Sequence, residues 1–101
     1  TMVGHIVMWK LKETAEGRSA AENAKIMKEM LGALPGLIPV LRTLVVSTDV
    51  FASIPETEVV LYTVFDSPED LEIYQVHPEH QKCVAFVKAV AAERRVVDYH
   101  F

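Results

Sequence analysis

Tyr74, His77 and His80 fall within the nine residues YQVHPEHQK, and three more groups of similar chemistry, His5, Asp98 and His100, lie near the two ends of the chain. A histidine oriented by a carboxylate has its tautomer fixed and its basicity raised, which suits it to general-base work near neutral pH. The pair selected on this ground is His80 with Asp98, and His5 and Tyr74 are further polar groups around the same pocket. In such a pair the carboxylate favours imidazolium, so the His80 pKa is expected to rise. His77 precedes Pro78, which disfavours helical geometry at that residue, and it reads as a structural bend between two helical pieces.

Each group also has a plainer reading. The ring of His80, in the first turn of a helix, can bond nearby backbone, and His5 can be a satisfied core histidine at the start of a strand. Tyr74 can pack rather than donate, and His100 reads as a rim residue. Asp98 is harder to dismiss, because a carboxylate in an apolar strand needs a partner if it is buried. His77-x-x-His80 is a weak metal signal, so no metal is expected. Cys83 has no base beside it and reads as inert. Neither a glycine-rich phosphate loop nor a serine elbow nor a cofactor motif is found, and no cofactor is expected.

The elements that must position these groups follow from patterning. Val3–Leu11 is β-rich. Ser19 and Glu22 have capping-box spacing ahead of a helix carrying Ala24, Met27, Leu31 and Leu34, which Pro35-Gly36 stops. Leu41–Phe51 and Glu58–Phe65 read as strands. Ser67-Pro68-Glu69-Asp70 starts a second helical segment, interrupted near Pro78 and resumed to about Ala92. Arg95–Phe101 is the last strand. The order β-α-β-β-α-β predicts an α+β, ferredoxin-like antiparallel sheet with its helices on one face. The stretches 13–18, 34–39 and 52–57 read as loops within one domain, residues 2–101.

In the ferredoxin-like strand order, four sequence-distant places share one end of the sheet: His5, the turn after Phe65, the Tyr74–His80 region, and Asp98 to Phe101. Strands one and four are neighbours, so His5 can lie close to Asp98 or His100. Strands one and three are apolar on both faces, while the chain's own helices cover only one. A second copy of the sheet is the cheapest cover, and a homodimer with sheets face to face is expected. The cavity between sheet and helices is expected to be mainly apolar, lined by Val7, Trp9 and Met27 of the first helix, and to suit a hydrophobic ligand.

Composition narrows the partners. The 101 residues are half apolar, with 10 basic and 14 acidic side chains and a net charge of −4. Arg94-Arg95 is the longest basic cluster, which argues against nucleic acid. One cysteine excludes an internal disulfide, and no apolar run approaches membrane-spanning length. The natural expectation is a cytoplasmic protein without membrane contact.

HIVMWKLK at the start, VVLYTVFDSPEDLEIYQVHPEH in the second half and ERRVVDY near the end resemble the stress-responsive α/β-barrel domain (Dabb) family over nearly the whole chain. The resemblance implies a dimeric α/β barrel. It also implies a cavity between each sheet and its helices. Plant polyketide cyclases of that family close rings without cofactor, using the second histidine of HPxH as base, the terminal-strand aspartate as its assistant and a tyrosine nearby. These roles correspond to His80, Asp98 and Tyr74, with His5 as the strand-one histidine. The chain departs from the cyclase pattern at Val59 and Met27, where a histidine and a tyrosine would stand, and both changes make the pocket more apolar. Binding of a small hydrophobic or aromatic molecule is the leading expectation. A cofactor-independent cyclase, lyase or isomerase is the alternative, and a cofactor-free monooxygenase, hinted at by Trp9, is a further one.

Overall fold

The computed structural model describes residues Thr1–Phe101. Its four main strands are β1 (Val3–Leu11), β4 (Thr43–Ser47), β5 (Val59–Phe65) and β6 (Ala91–His100). A two-stranded ribbon, β2 (Thr14–Ala15) and β3 (Arg18–Ser19), lies outside that sheet. The helices are α1 (Ala20–Gly32), α2 (Pro68–Val76) and α3 (Pro78–Val90). The main sheet has the order β4-β5-β1-β6 and is antiparallel throughout. This is the ferredoxin-like arrangement expected from the sequence.

The ribbon replaces the loop expected over residues 13–18. Glu16 and Gly17 both take positive φ, 52° and 72°, so two residues turn the chain between Ala15 and Arg18. Two successive positive φ values make the tight hairpin geometry that matches strand twist, and glycine adopts it without strain.

Each helix starts where its side chains can satisfy free amides. The Ser19 hydroxyl accepts from the Glu22 amide at 3.2 Å, and the Glu22 carboxylate accepts from the Ser19 amide at 3.0 Å, completing the capping box. Ser67 caps α2 by accepting from the Asp70 amide, with Pro68 in the first turn. His77 separates α2 from α3 with φ −62° and ψ 135°, the extended geometry that a residue before proline favours. Its ring Nδ1 accepts from the Glu79 amide at 3.1 Å and so caps α3. His77→Ala is therefore expected to cost about 1 kcal/mol, the usual worth of a cap. That corresponds to a Tm lower by about 4–8 °C for a domain of this size, read in a thermal melt.

On one face of the sheet Val7, Trp9, Leu11, Leu61 and Phe65 are buried against Ala24, Met27 and Leu31 of α1, Leu71 and Tyr74 of α2, and Cys83, Val87 and Val90 of α3. Residues directly opposite in a sheet point to the same face. Ile6 stands between Tyr62 and Val97, Met8 is opposite Val60, and Val45 is opposite Tyr62, so all six occupy the other face. No helix of the chain covers them, and Val45 and Val97 are 56% and 51% exposed. A glycine is required on this face at Gly4, where a Cβ would come within 2.4–2.6 Å of Tyr99 ring and hydroxyl atoms.

Two strand boundaries differ from expectation. The second main strand is shorter than Leu41–Phe51, and β6 begins at Ala91 rather than Arg95. Ala91-Ala92 carry no turn signal and continue the helical pattern by eye, yet Ala91 already has extended geometry at ψ 137°. The chain passes from α3 into β6 with no loop between them.

Candidate functional site

His5 lies on the helix-covered face of β1, 3% exposed, directly opposite Asp98 on β6. The strand register forces these two side chains onto the same face, and His5 Nδ1 donates to Asp98 Oδ1 in a short hydrogen bond. Asp98 is on an edge strand and stays half-exposed, so its carboxylate keeps part of its hydration while holding a buried ring. On the other side of His5, Thr63 Oγ1 donates to the His5 carbonyl at 3.1 Å and fixes the backbone there. With Nδ1 committed to the carboxylate, Nε2 is the ring nitrogen left for a ligand.

The expected partnership of Asp98 with His80 is therefore corrected. Both residues do sit at the same end of the sheet, but in-plane register gives Asp98 to His5. His80 Nδ1 instead donates to the Gln75 carbonyl at 3.1 Å. Gln75 is in the last turn of α2, where carbonyls lack an intrahelical partner, and the break at His77 brings the first turn of α3 over it. The expected rise in the His80 pKa is reversed as well. Burial pulls it below the ordinary histidine value, against the raising effect of the Gln75 carbonyl, and His5 and Arg94 add to the lowering. His80 is consequently a neutral imidazole at pH 7, with Nε2 unprotonated.

Tyr74 backs this arrangement. Its ring lies 4.2 Å from that of His80 and 5.0 Å from that of Phe65, centroid to centroid, and 6.4 Å from that of His5. The residue is fully buried and its hydroxyl has no hydrogen-bond partner. Burial, with a smaller effect from Cys83, pushes that hydroxyl far above the ordinary tyrosine range, so it stays protonated. The structure thus makes Tyr74 a wall behind His80. His100 is at the rim, with Thr1 Oγ1 3.2 Å from its Nδ1.

His5 and His80 open into one cavity of about 250 Å³ between sheet and helices. Val7, Trp9 and Leu61 form its sheet wall, and Leu31, Cys83, Val84 and Val87 its helical wall. Gln75, Lys88 and Arg94 supply the remaining polar groups. Val7 and Trp9 are where the sequence reading put them. Met27 and Val59 are not: both are fully buried in the core, and Leu31, one turn beyond Met27, forms the wall instead. Burial also raises the Cys83 thiol, which keeps it protonated and a poor nucleophile. The Trp9 indole Nε1 is buried in the wall and meets no acceptor of the chain. A larger depression on α1, about 670 Å³ and lined by Lys25, Lys28 and Glu29 among others, is open, and none of the histidines reaches it.

Sequence reasoning missed Gln75, Lys88 and Arg94. Gln75 acts through its backbone carbonyl, which no side-chain pattern reveals. Arg94 fell outside the expected last strand, although its register partner Trp9 would have placed it on the cavity face.

Sheet order, helices on a single face and a cavity between the two layers define a ferredoxin-like α+β protein. The chain matches the family described as Stress responsive A/B Barrel Domain over residues 3–101, and it belongs to that family. No curated protein matches it by sequence. Among solved structures it is similar to a dimeric protein of ferredoxin-like fold and unknown function from Bacteroides fragilis, at 33% identity and TM-score 0.81, covering 99% of this chain and 96% of that one. It also resembles a dimeric ferredoxin-like protein from Thermobifida fusca, at 20% identity and TM-score 0.84 over 99% and 91% of the two chains. The hydroxynitrile lyase from Passiflora edulis shares the fold at 18% identity and TM-score 0.75, over 97% and 91%. No helix is long and apolar enough to cross a membrane.

Proposed function

We propose that this protein is a homodimer, its two sheets face to face, that binds a small hydrophobic molecule in the cavity between each sheet and its helices. The uncovered apolar face, Ile6, Met8, Val45, Val60, Tyr62 and Val97, supports the dimer, as does the dimeric state of the Bacteroides fragilis relative. The observation that carries the binding reading is the cavity itself: a largely apolar wall with a few convergent polar groups combines burial energy with orientation. At about 250 Å³ it fits a compact ligand rather than a long chain. Trp9 is in the wall, so alkyl-aromatic probes are expected to quench or shift its fluorescence saturably. No change with any probe small enough to enter would overturn the reading.

One observation favours a second, catalytic reading. A histidine held by a carboxylate inside an apolar cavity, next to the neutral imidazole of His80, is more than retention of a ligand requires. In this reading His5 Nε2 takes a weakly acidic proton from the bound molecule, from a hydroxyl or from a carbon beside a carbonyl. Asp98 faces the imidazolium so formed, and His80 Nε2 accepts a hydrogen bond that orients the ligand. This is cofactor-independent lyase, cyclase or isomerase chemistry, with the base moved from His80 to His5 by the observed pairing. The monooxygenase alternative rests on nothing beyond the place of Trp9 in the wall.

A further inference from the structure

The polar groups of the cavity are not spread evenly. His5 and Trp9 are both on β1 and four residues apart, which separates their Cα atoms by about 13 Å along the strand. Asp98 stands opposite His5, and Arg94 stands opposite Trp9. The cavity therefore has a His/Asp end and an Arg/Trp end, joined by Val7, Leu61 and Val87. Lys88, in the last turn of α3, lines it together with Arg94. The ion pairs of the chain use Lys10, Arg42 and Lys82, and neither Arg94 nor Lys88 has an acidic partner. Two cationic side chains, both solvent-exposed, thus stand at one end of the cavity without a carboxylate partner from this chain.

We infer that the cavity's ligand is an amphipathic carboxylate, its anionic group at Arg94 and Lys88 and its apolar body running along Val7, Leu61 and Val87 toward His5. The inference rests on the binding reading given above and adds the ligand's charge and direction. A carboxylate supplies acceptors for a guanidinium fork and an ammonium, which a neutral hydrocarbon would leave to solvent alone. The guanidinium is the better anchor of the two cations because its planar donors match a carboxylate bidentately.

The test compares phenylbutyrate with phenylbutyramide, two probes of one shape that differ in charge, by Trp9 fluorescence and calorimetry on the native protein. Phenylbutyrate is expected to bind about tenfold tighter or better, as a charge-assisted contact should provide. Arg94→Gln is expected to abolish the preference, weakening phenylbutyrate far more than phenylbutyramide, while Arg94→Lys retains part of it. Equal affinities for the two probes in the native protein would overturn the carboxylate inference and leave the cavity reading standing. A preference that survives both Arg94→Gln and Lys88→Gln would overturn the assignment of the anionic end. Failure of both probes to bind would overturn the cavity reading and this inference together.

Discussion

Tyr62→Asp is expected to convert the protein from a dimer into an 11.3 kDa monomer at micromolar concentration, read by sedimentation. Tyr62 sits near the middle of the uncovered sheet face, opposite both Ile6 and Val45. Face-to-face packing would bury it against the partner. A two-fold interface repeats the substitution, so two unpaired carboxylates would be buried at once. Each costs about 3 kcal/mol or more, and together they weaken association by about four powers of ten. The fold itself should survive, because the side chain is outside the core cluster. The unsubstituted protein sedimenting as a monomer would remove the dimer from the proposal outright.

The second large effect concerns the His5–Asp98 pair. If His5 is a base, the protein should speed deuterium uptake from D2O at the carbon beside the carbonyl of a small aryl ketone held in the cavity. Asp98→Asn is expected to lower that rate by about 100-fold to 10,000-fold, the range found when a histidine base loses its orienting carboxylate or its role altogether. The cause would be tautomeric: an asparagine amide can donate to Nδ1, which moves the ring proton to Nε2 and blocks the accepting nitrogen. Nitrogen chemical shifts of the His5 ring would report that exchange independently of any activity. His5→Ala should be as slow as Asp98→Asn, since the pair acts as a unit. Equal exchange rates in native and Asp98→Asn protein would sink the catalytic reading while leaving ligand binding untouched.

What could be read from sequence here divides along physical lines. Helix starts are written in local chemistry, and Ser19 with Glu22, Ser67 with Pro68, and His77 before Pro78 act where their spacing says they should. The ferredoxin-like order follows from hydrophobic period alone. Side-chain partnership does not, because it depends on register: connectivity brought His5, His80 and Asp98 to one end of the sheet, but only the pairing of β1 with β6 decides which histidine the carboxylate meets. The Gln75 carbonyl that holds His80 belongs to the backbone, and its availability arises from a helix break. Met27 and Leu31 share one apolar stripe of α1, and the pattern cannot say which lines a cavity and which closes the core. The short ribbon at Thr14–Ser19 depends on positive φ at Glu16, a residue type that seldom announces such a turn.

The pairing of β1 with β6 has a kinetic corollary. These strands lie at opposite ends of the sequence, and His5 and Asp98 are separated by 93 positions. Closing so long a loop is costly in chain entropy, and contacts of this range slow folding. Local pieces such as α1 with its capping box, or the α2–α3 break, can form early and hold nothing that resembles the site. The His–carboxylate pair exists only once the first and last strands of the chain have met. The hydrogen bond between His5 and Asp98 is therefore a reporter of completed folding.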